Sequence, residues 1–291
     1  MRIPVGRRDS LAKFVMMALA VTLLWVSPVM AATLDHIRES KVIRIAYRED
    51  APPFSYKGAD GQPTGFMIDL CRMVAQRIAQ QLKVADLTLV YVPVTAADRF
   101  DAIKQARADL LCEATTATLT RREVVDFSLP TFVDGASLMV RAGAPDDLKG
   151  MAGRKIGVLG GTTTELALRN ALQRAAVNAE VVLMDSHPEA ISQLDDGRIV
   201  AYFADRAILM SLARDSKAPD QIRIAEQYLT VEPYALAMSH GDNAFRLAVD
   251  RALSHIYRSS DIVRLFQRAF GVNVNQSQLL HSLYVAASLP D

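Results

Sequence analysis

Strand-like and helix-like segments alternate along this chain, and the alternation runs through twice. "KVIRIAY", from Lys41 to Tyr47, alternates in polarity as a strand does. "FMIDLCRMVAQRIAQQL" then places Ile68, Leu70, Met73, Val74, Ile78 and Leu82 at helical spacing. "LTLVYVPV" reads as a strand, "AADRFDAIKQAR" as a short helix and "ADLLC" as a third strand, followed by the extended pieces "VVDFSLPTF" and "ASLMVRAG". Near Pro145 the pattern restarts: strand "KIGVLG", helix "GTTTELALRNALQRA", strand "EVVLM", helix "HPEAISQLDDG", strand "IVAYFAD" and helix "RAILMSLARD". "YALAMS" is a last strand before a helical tail, "NAFRLAVDRALSHIYRSSDIVRLFQRAF". Strands that alternate with helices build mainly parallel sheets with helices on both faces. Two such series predict an α/β chain of two lobes. "REDAPPFSYKGADGQPTG", dense in Pro, Gly and Asp, reads as a long loop.

The first residues follow a different rule. Arg2, Arg7, Arg8 and Lys13 precede an uncharged run of 13 residues from Phe14 to Val26, and then "SPVMAA" with small residues at Val29 and Ala31. That order is the one of a cleaved secretory signal peptide, expected over residues 1–32. The alternative is an uncleaved anchor, but Ser27 and Pro28 stop the apolar run short of the roughly 20 residues a spanning helix needs. Removing these residues takes away four basic side chains and one acidic one, which leaves 29 basic against 31 acidic. A slightly acidic chain lacks the basic face that a nucleic-acid partner requires.

Cys71 and Cys112 are the chain's two cysteines. In an exported protein one disulfide between them is expected, the alternative being two separate buried thiols. No paired His lies near them, so neither a zinc site nor another metal is expected, and no cofactor motif appears.

In open α/β sheets ligands sit beyond the carboxyl ends of the strands. The residues there include Arg48, Arg99, Thr115, Thr116, Arg121, Thr163, His187 and Asp205. Brought together, three guanidiniums against one carboxylate favour an anionic ligand, and Arg forks grip carboxylates in pairs of bonds. The lone Asp suits an ammonium. A molecule with two carboxylates and one amine balances the set. "GVLGGTTTE" adds a glycine-flanked helix start, whose free N–H groups bind anions. Each residue also has a plainer reading. Arg121 taken alone is a solvent-facing charge, and Asp205 and His187 are candidate helix caps. Thr162 and Glu165 make a capping box.

"YREDAPPFSY…GQPTGFMIDL", "DLLCEATTATLTRREVVDFSLPTF", "KIGVLGGTTTE" and "DDGRIVAYFADRAIL" together resemble the family 3 solute-binding proteins of bacterial ABC amino-acid importers. The likeness covers the whole chain after the leader and is greatest to the glutamate/aspartate-binding members. It implies the type II periplasmic-binding-protein fold: lobe 1 from 33–138 and 238–291, lobe 2 from 139–237, joined by two crossing hinge segments near Ser137 to Arg141 and Tyr234 to Met238. It implies that Arg121 and Thr116 hold an α-carboxylate together with Thr163, that Asp205 takes the α-ammonium, and that Arg48, Arg99 and His187 hold a side-chain carboxylate. Ala96 and Ala114 stand where the acidic binders carry serines, and Glu113 where the family usually has glycine.

The function this implies is a monomeric periplasmic protein that is not an enzyme. It would capture an amino acid, acidic by preference, between its lobes and deliver it to an ABC transporter permease in the inner membrane. The alternative from a different class is a periplasmic cyclohexadienyl/arogenate-type dehydratase on the same fold, with Glu113 as general acid.

Overall fold

The computed structural model describes residues 33–291, so the expected signal peptide lies outside the described residues. Helix α1 (Thr33–Ser40) opens the chain and leads into β1 (Val42–Arg48). The stretch expected as a loop instead folds into three short strands, β2 (Asp50–Ala51), β3 (Ser55–Lys57) and β4 (Pro63–Thr64), paired antiparallel in a small sheet of their own. Its two-residue strands are too short for a period-2 signal to show in sequence. Helix α2 (Phe66–Leu82) then packs its apolar stripe inward, and β5 (Thr88–Val94), α3 (Arg99–Lys104) and β6 (Leu110–Leu111) follow.

Strand β7 (Val125–Asp134) ends in the first lobe and β8 (Ala136–Arg141) begins in the second. The second lobe continues through β9 (Lys155–Leu159), α4 (Thr163–Arg174), β10 (Glu180–Met184), α5 (His187–Asp195), β11 (Ala201–Asp205), α6 (Arg206–Asp215) and β12 (Ile222–Ile224). Strand β13 (Glu232–Ser239) returns to the first lobe. The tail expected as one helix is divided into α7 (Asn243–Tyr257) and α8 (Asp261–Phe270), and α9 (Gln278–Ala287) ends the chain.

The first sheet has the order β5-β1-β6-β13-β7, and the second β10-β9-β11-β8-β12. In each, three neighbouring strands run parallel, the fourth (β13 or β8) runs antiparallel to them, and the edge strand beyond it (β7 or β12) is antiparallel to that fourth strand. This is the two-lobed α/β architecture of type II periplasmic binding proteins, as expected. Sheet membership moves both expected boundaries toward the N-terminus. Ser137 to Arg141 pair within the second sheet and Tyr234 to Met238 within the first, so neither segment forms a crossing. The crossings fall at Gly135 and in the stretch between Ile224 and Glu232. Here Gly135 is required by close approach: a Cβ on it would lie 2.3 Å from the Thr230 carbonyl oxygen of the returning segment.

Two features fix the first lobe around the cleft. Phe54, from the β2–β3 turn, packs edge-on against Phe132 at 5.0 Å and Tyr234 at 5.3 Å between ring centroids, which docks the small sheet onto the crossing strands. Cys71 of α2 and Cys112 after β6 form the disulfide, at an S–S distance of 2.01 Å, and hold the residue that follows, Glu113, against the helix layer.

Candidate functional site

The ends of β1, β6, β9 and β11 converge on one enclosed cavity of about 40 Å³ between the lobes. A space of that size suits a small solute. Arg48, Arg99, Thr116, Arg121, Thr163, His187 and Asp205 all line it. Thr115 does not. It is fully buried behind Glu113 and donates its hydroxyl to Glu113 Oε1 at 2.5 Å.

Arg48 closes β1 and Arg99 opens α3, and both are 4% exposed. The count of three guanidiniums against one carboxylate leaves out two acids that face them. Arg48 Nη2 lies 2.6 Å from Asp50 Oδ1, and Arg48 Nη1 lies 4.0 Å from Glu113 Oε2. Arg99 Nε lies 3.0 Å from Glu113 Oε1, off the line of a hydrogen bond, so the contact is a charge pair. Arg99 Nη1 donates to the Ala96 carbonyl. Glu113 and Asp50 therefore already face the two guanidiniums.

Arg121 is differently placed. Its guanidinium and that of Arg99 both lie over the Phe100 ring, at centroid distances of 5.1 Å and 4.9 Å. Arg121 Nη1 donates to the Thr116 carbonyl at 2.8 Å, and no carboxylate pairs with it among the described residues. Burial and then the neighbouring Arg99 charge pull its pKa down to about 10, which still leaves it cationic at neutral pH.

The two threonines meet across the cleft. Thr116 donates to Glu232 Oε2 at 2.6 Å, and Thr163 Oγ1 lies 3.1 Å from the same oxygen and 3.3 Å from Thr116 Oγ1. At the start of α4, Thr162 accepts from the Glu165 N–H at 3.1 Å, and Glu165 accepts from the Gly161 N–H at 3.0 Å. The capping interaction expected for this stretch is present, and it leaves the first N–H groups of the helix free for an anion.

Neither His187 nor Asp205 caps a helix through its side chain. Ser186 is the cap of α5, accepting from the Glu189 N–H. His187 instead donates its backbone N–H across the cleft to Asp50 Oδ2 at 3.1 Å, and its Nδ1 lies 2.8 Å from the Tyr202 hydroxyl. Burial, with the Arg48 charge adding to it, takes its pKa down to about 4, so the ring is neutral at pH 7. The first N–H groups of α6 are served by Asp134, which accepts from Ala207 at 3.0 Å. Asp205 Oδ1 is buried with no hydrogen bond of good geometry among the described residues; the buried Tyr234 hydroxyl, also without such a bond, stands beside its carboxyl. Burial, then the carboxylates of Asp134 and Glu232, raise its pKa well above the usual value.

The arrangement offers one unpaired cation, one orphaned acid and a helix start around a small closed space. That set is complementary in charge to a zwitterion. It contains no group of three or more metal-ligating side chains among the described residues. Sequence reasoning missed Asp50, Asp134 and Glu232. Asp50 sits in the stretch taken as a loop, Glu232 directly precedes a proline, and the only signal was that each flanks a strand.

Residues 43–272 match the family model of bacterial extracellular solute-binding proteins, family 3. The L-glutamate/L-aspartate-binding protein of Pseudomonas aeruginosa is 30% identical over 273 residues, covering 88% of this chain and 89% of the relative. Among solved structures, the solute receptor for L-cysteine of Neisseria gonorrhoeae superposes with a TM-score of 0.73 at 24% identity, over 83% of this chain and 96% of the other. An ancestral amino acid-binding protein, a precursor of cyclohexadienyl dehydratase, superposes with a TM-score of 0.71 at 25% identity, over 82% of this chain and 100% of the other. With its two-lobed fold, its closed inter-lobe cavity and these likenesses, the chain belongs to the bacterial extracellular solute-binding proteins of family 3.

Proposed function

We propose that the protein captures an α-amino acid between its lobes in the periplasm and delivers it to an ABC transporter permease, as a monomer and without chemistry of its own. The observation that carries this is the pairing of an orphaned acid with an unpaired guanidinium in one cavity. Asp205 Oδ1 lacks a donor and Arg121 lacks a carboxylate. An α-ammonium and an α-carboxylate supply both at once. Thr163 at the start of α4 adds a helix N-terminus to the carboxylate side. Residues 1–32 act as the cleaved export signal in this reading.

The side chain of the ligand is read as that of glutamate or aspartate, or of their amides. The acid is supported by the guanidiniums of Arg48 and Arg99 and by the relative that binds glutamate and aspartate. The amide is supported by Glu113 and Asp50, which already face those guanidiniums. A dehydratase is disfavoured by the same geometry: Glu113 accepts from Thr115 and faces two cations, an arrangement for an anion rather than a proton donor.

Calorimetry of residues 33–291 with the twenty amino acids tests the reading. The expected result is micromolar-range binding, about −8 kcal/mol, by at least one of glutamate, aspartate, glutamine and asparagine. No heat from any of the four, with tight binding of a solute lacking an α-amino acid group, sinks it.

A further inference from the structure

We propose that Glu113 sets which side chain the cleft accepts, and that it selects a side-chain amide over the corresponding carboxylate. The inference rests on the amino-acid reading above and names the ligand class within it.

Glu113 is 2% exposed yet lines the cavity. Its two oxygens have unequal surroundings. Oε1 receives the Thr115 hydroxyl at 2.5 Å and lies 3.0 Å from Arg99 Nε. Oε2 has no hydrogen-bond donor among the described residues, and its ion-pair partner, Arg48 Nη1, stands 4.0 Å away, beyond hydrogen-bond reach. One acceptor is therefore spare at the cavity wall.

Glu113 is also poorly able to swing aside. Cys112, the residue before it, is bridged to Cys71 of α2, and its N–H donates to the Ala46 carbonyl at 2.9 Å. Arg48 and Arg99 are held too, the first by Asp50 and the second by Ala96. Arg48, Asp50, Glu113, Arg99 and the His187 N–H form one continuous series of contacts, so the group presents fixed donors and a fixed acceptor side by side.

A primary amide carries one acceptor oxygen and a nitrogen with two protons. Against this wall its oxygen takes a guanidinium N–H and its nitrogen donates to Glu113 Oε2. A carboxylate carries acceptors alone. Placed beside Glu113 it puts two anions in a site shut off from water, and such pairs do not both ionise. Sites built to hydrogen-bond a donor reject analogues lacking it by about 10⁴-fold. Arg48 and Arg99 offset part of that here, so a preference of about 100-fold is the expectation.

The test is calorimetry of residues 33–291 and of Glu113→Gln with glutamine, asparagine, glutamate and aspartate at pH 7 and pH 5. The protein is expected to bind an amide about 100-fold more tightly than its acid at pH 7. That ratio should narrow about tenfold per pH unit toward pH 5, because the acid must carry a proton in and its carboxyl titrates near 4.3. In Glu113→Gln the preference should vanish or reverse. An acid bound more tightly than its amide in the unaltered protein overturns the inference while the amino-acid reading stands, and so does a ratio that Glu113→Gln leaves unmoved. Should the variant fail to fold, the ratio and its pH course in the unaltered protein decide alone. Failure of all twenty amino acids to bind overturns both readings together.

Discussion

Asp134 makes the capping bond that Asp205 leaves unmade. Asp205 sits at the cap position of α6, but it is Asp134 Oδ2 that accepts the Ala207 N–H, at 3.0 Å. Asp134 lies at the end of β7, one residue before the crossing at Gly135. A crossing residue thus serves the helix and frees the Asp205 carboxyl for the cavity. Asp205→Asn is expected to weaken amino-acid binding strongly, because an amide oxygen accepts from an ammonium but brings no charge to balance it. It should also raise the ligand-free melting temperature, because it removes an acid that burial keeps short of partners. Thermal melts with and without ligand check both signs.

The same two acids set a pH dependence. The pKa of Asp134 is raised to about 6, by burial first, and that of Asp205 is raised well above the usual value for the same first reason. A folded-state acid with a raised pKa holds its proton where the unfolded chain has lost it, so stability falls as pH rises between the two pKa values. Ligand-free stability should therefore decline from about pH 4 to about pH 6 through Asp134, and further through Asp205. Ligand binding must expel the Asp205 proton. Calorimetry in buffers of different ionisation enthalpy should show proton release on binding that grows as pH falls.

Arg121 and Arg99 are expected to respond differently to truncation. Arg121 gives the protein one hydrogen bond to a backbone carbonyl, so Arg121→Ala should cost little stability. It should weaken every α-amino acid by at least about 30-fold, the lower end of the 2–5 kcal/mol for an unpaired partner charge. Arg99→Met leaves Glu113 with one fewer cation in a buried site and should cost about 3–5 kcal/mol of stability. Adding Glu113→Gln should restore much of it. Denaturant unfolding of the single and double variants measures that coupling.

The strands and long helices were legible because each presents its apolar residues at one period for five or more positions. Val42–Arg48 and Phe66–Leu82 do so. Part of the cleft's lining was legible for a topological reason: Arg48, Thr163 and Asp205 stand at strand ends or just beyond, and chain order alone brings those together. Charge balance was not legible. Asp50 and Glu232 are ordinary carboxylates in sequence, and they matter only because the β2–β4 sheet and the returning crossing carry them to Arg48 and Thr163. The crossings were misplaced for a related reason. "ASLMVRAG" and "YALAMS" read as extended, and extended residues belong equally well to a sheet and to a bridge between sheets.

The disulfide joins residues 41 apart in sequence, within a lobe that also contains most of the guanidinium contacts. A loop of that length contributes roughly 4 kcal/mol on the chain-entropy model. The Cys71→Ser, Cys112→Ser double variant should melt about 10 °C lower, at the 2–4 °C per kcal/mol typical of chains of this size. Binding selectivity should loosen along with stability, because Cys112 holds the backbone of Glu113. Parallel measurement of melting temperature and of the glutamine-to-glutamate affinity ratio distinguishes the two effects.

Thr163 joins the lobes through a hydroxyl that Glu232 and Thr116 share. A hydroxyl has one proton, so the bridge is one hydrogen bond with two acceptors in competition. Asp50 and the His187 N–H make the matching bond on the other side of the cavity, at 3.1 Å. These two bonds to carboxylates thus help hold the ligand-free protein shut, each contributing about 1.5–3 kcal/mol, against the entropy of an open cleft. Thr163→Val keeps the shape and removes the bond. It should shift the ligand-free ensemble toward open forms, visible as an increase in radius of gyration by small-angle X-ray scattering. Affinity should fall only about fivefold, since a ligand that gains contacts from both lobes pulls the equilibrium back. An unchanged radius together with a large loss of affinity would instead make Thr163 a direct ligand contact with no part in holding the lobes shut.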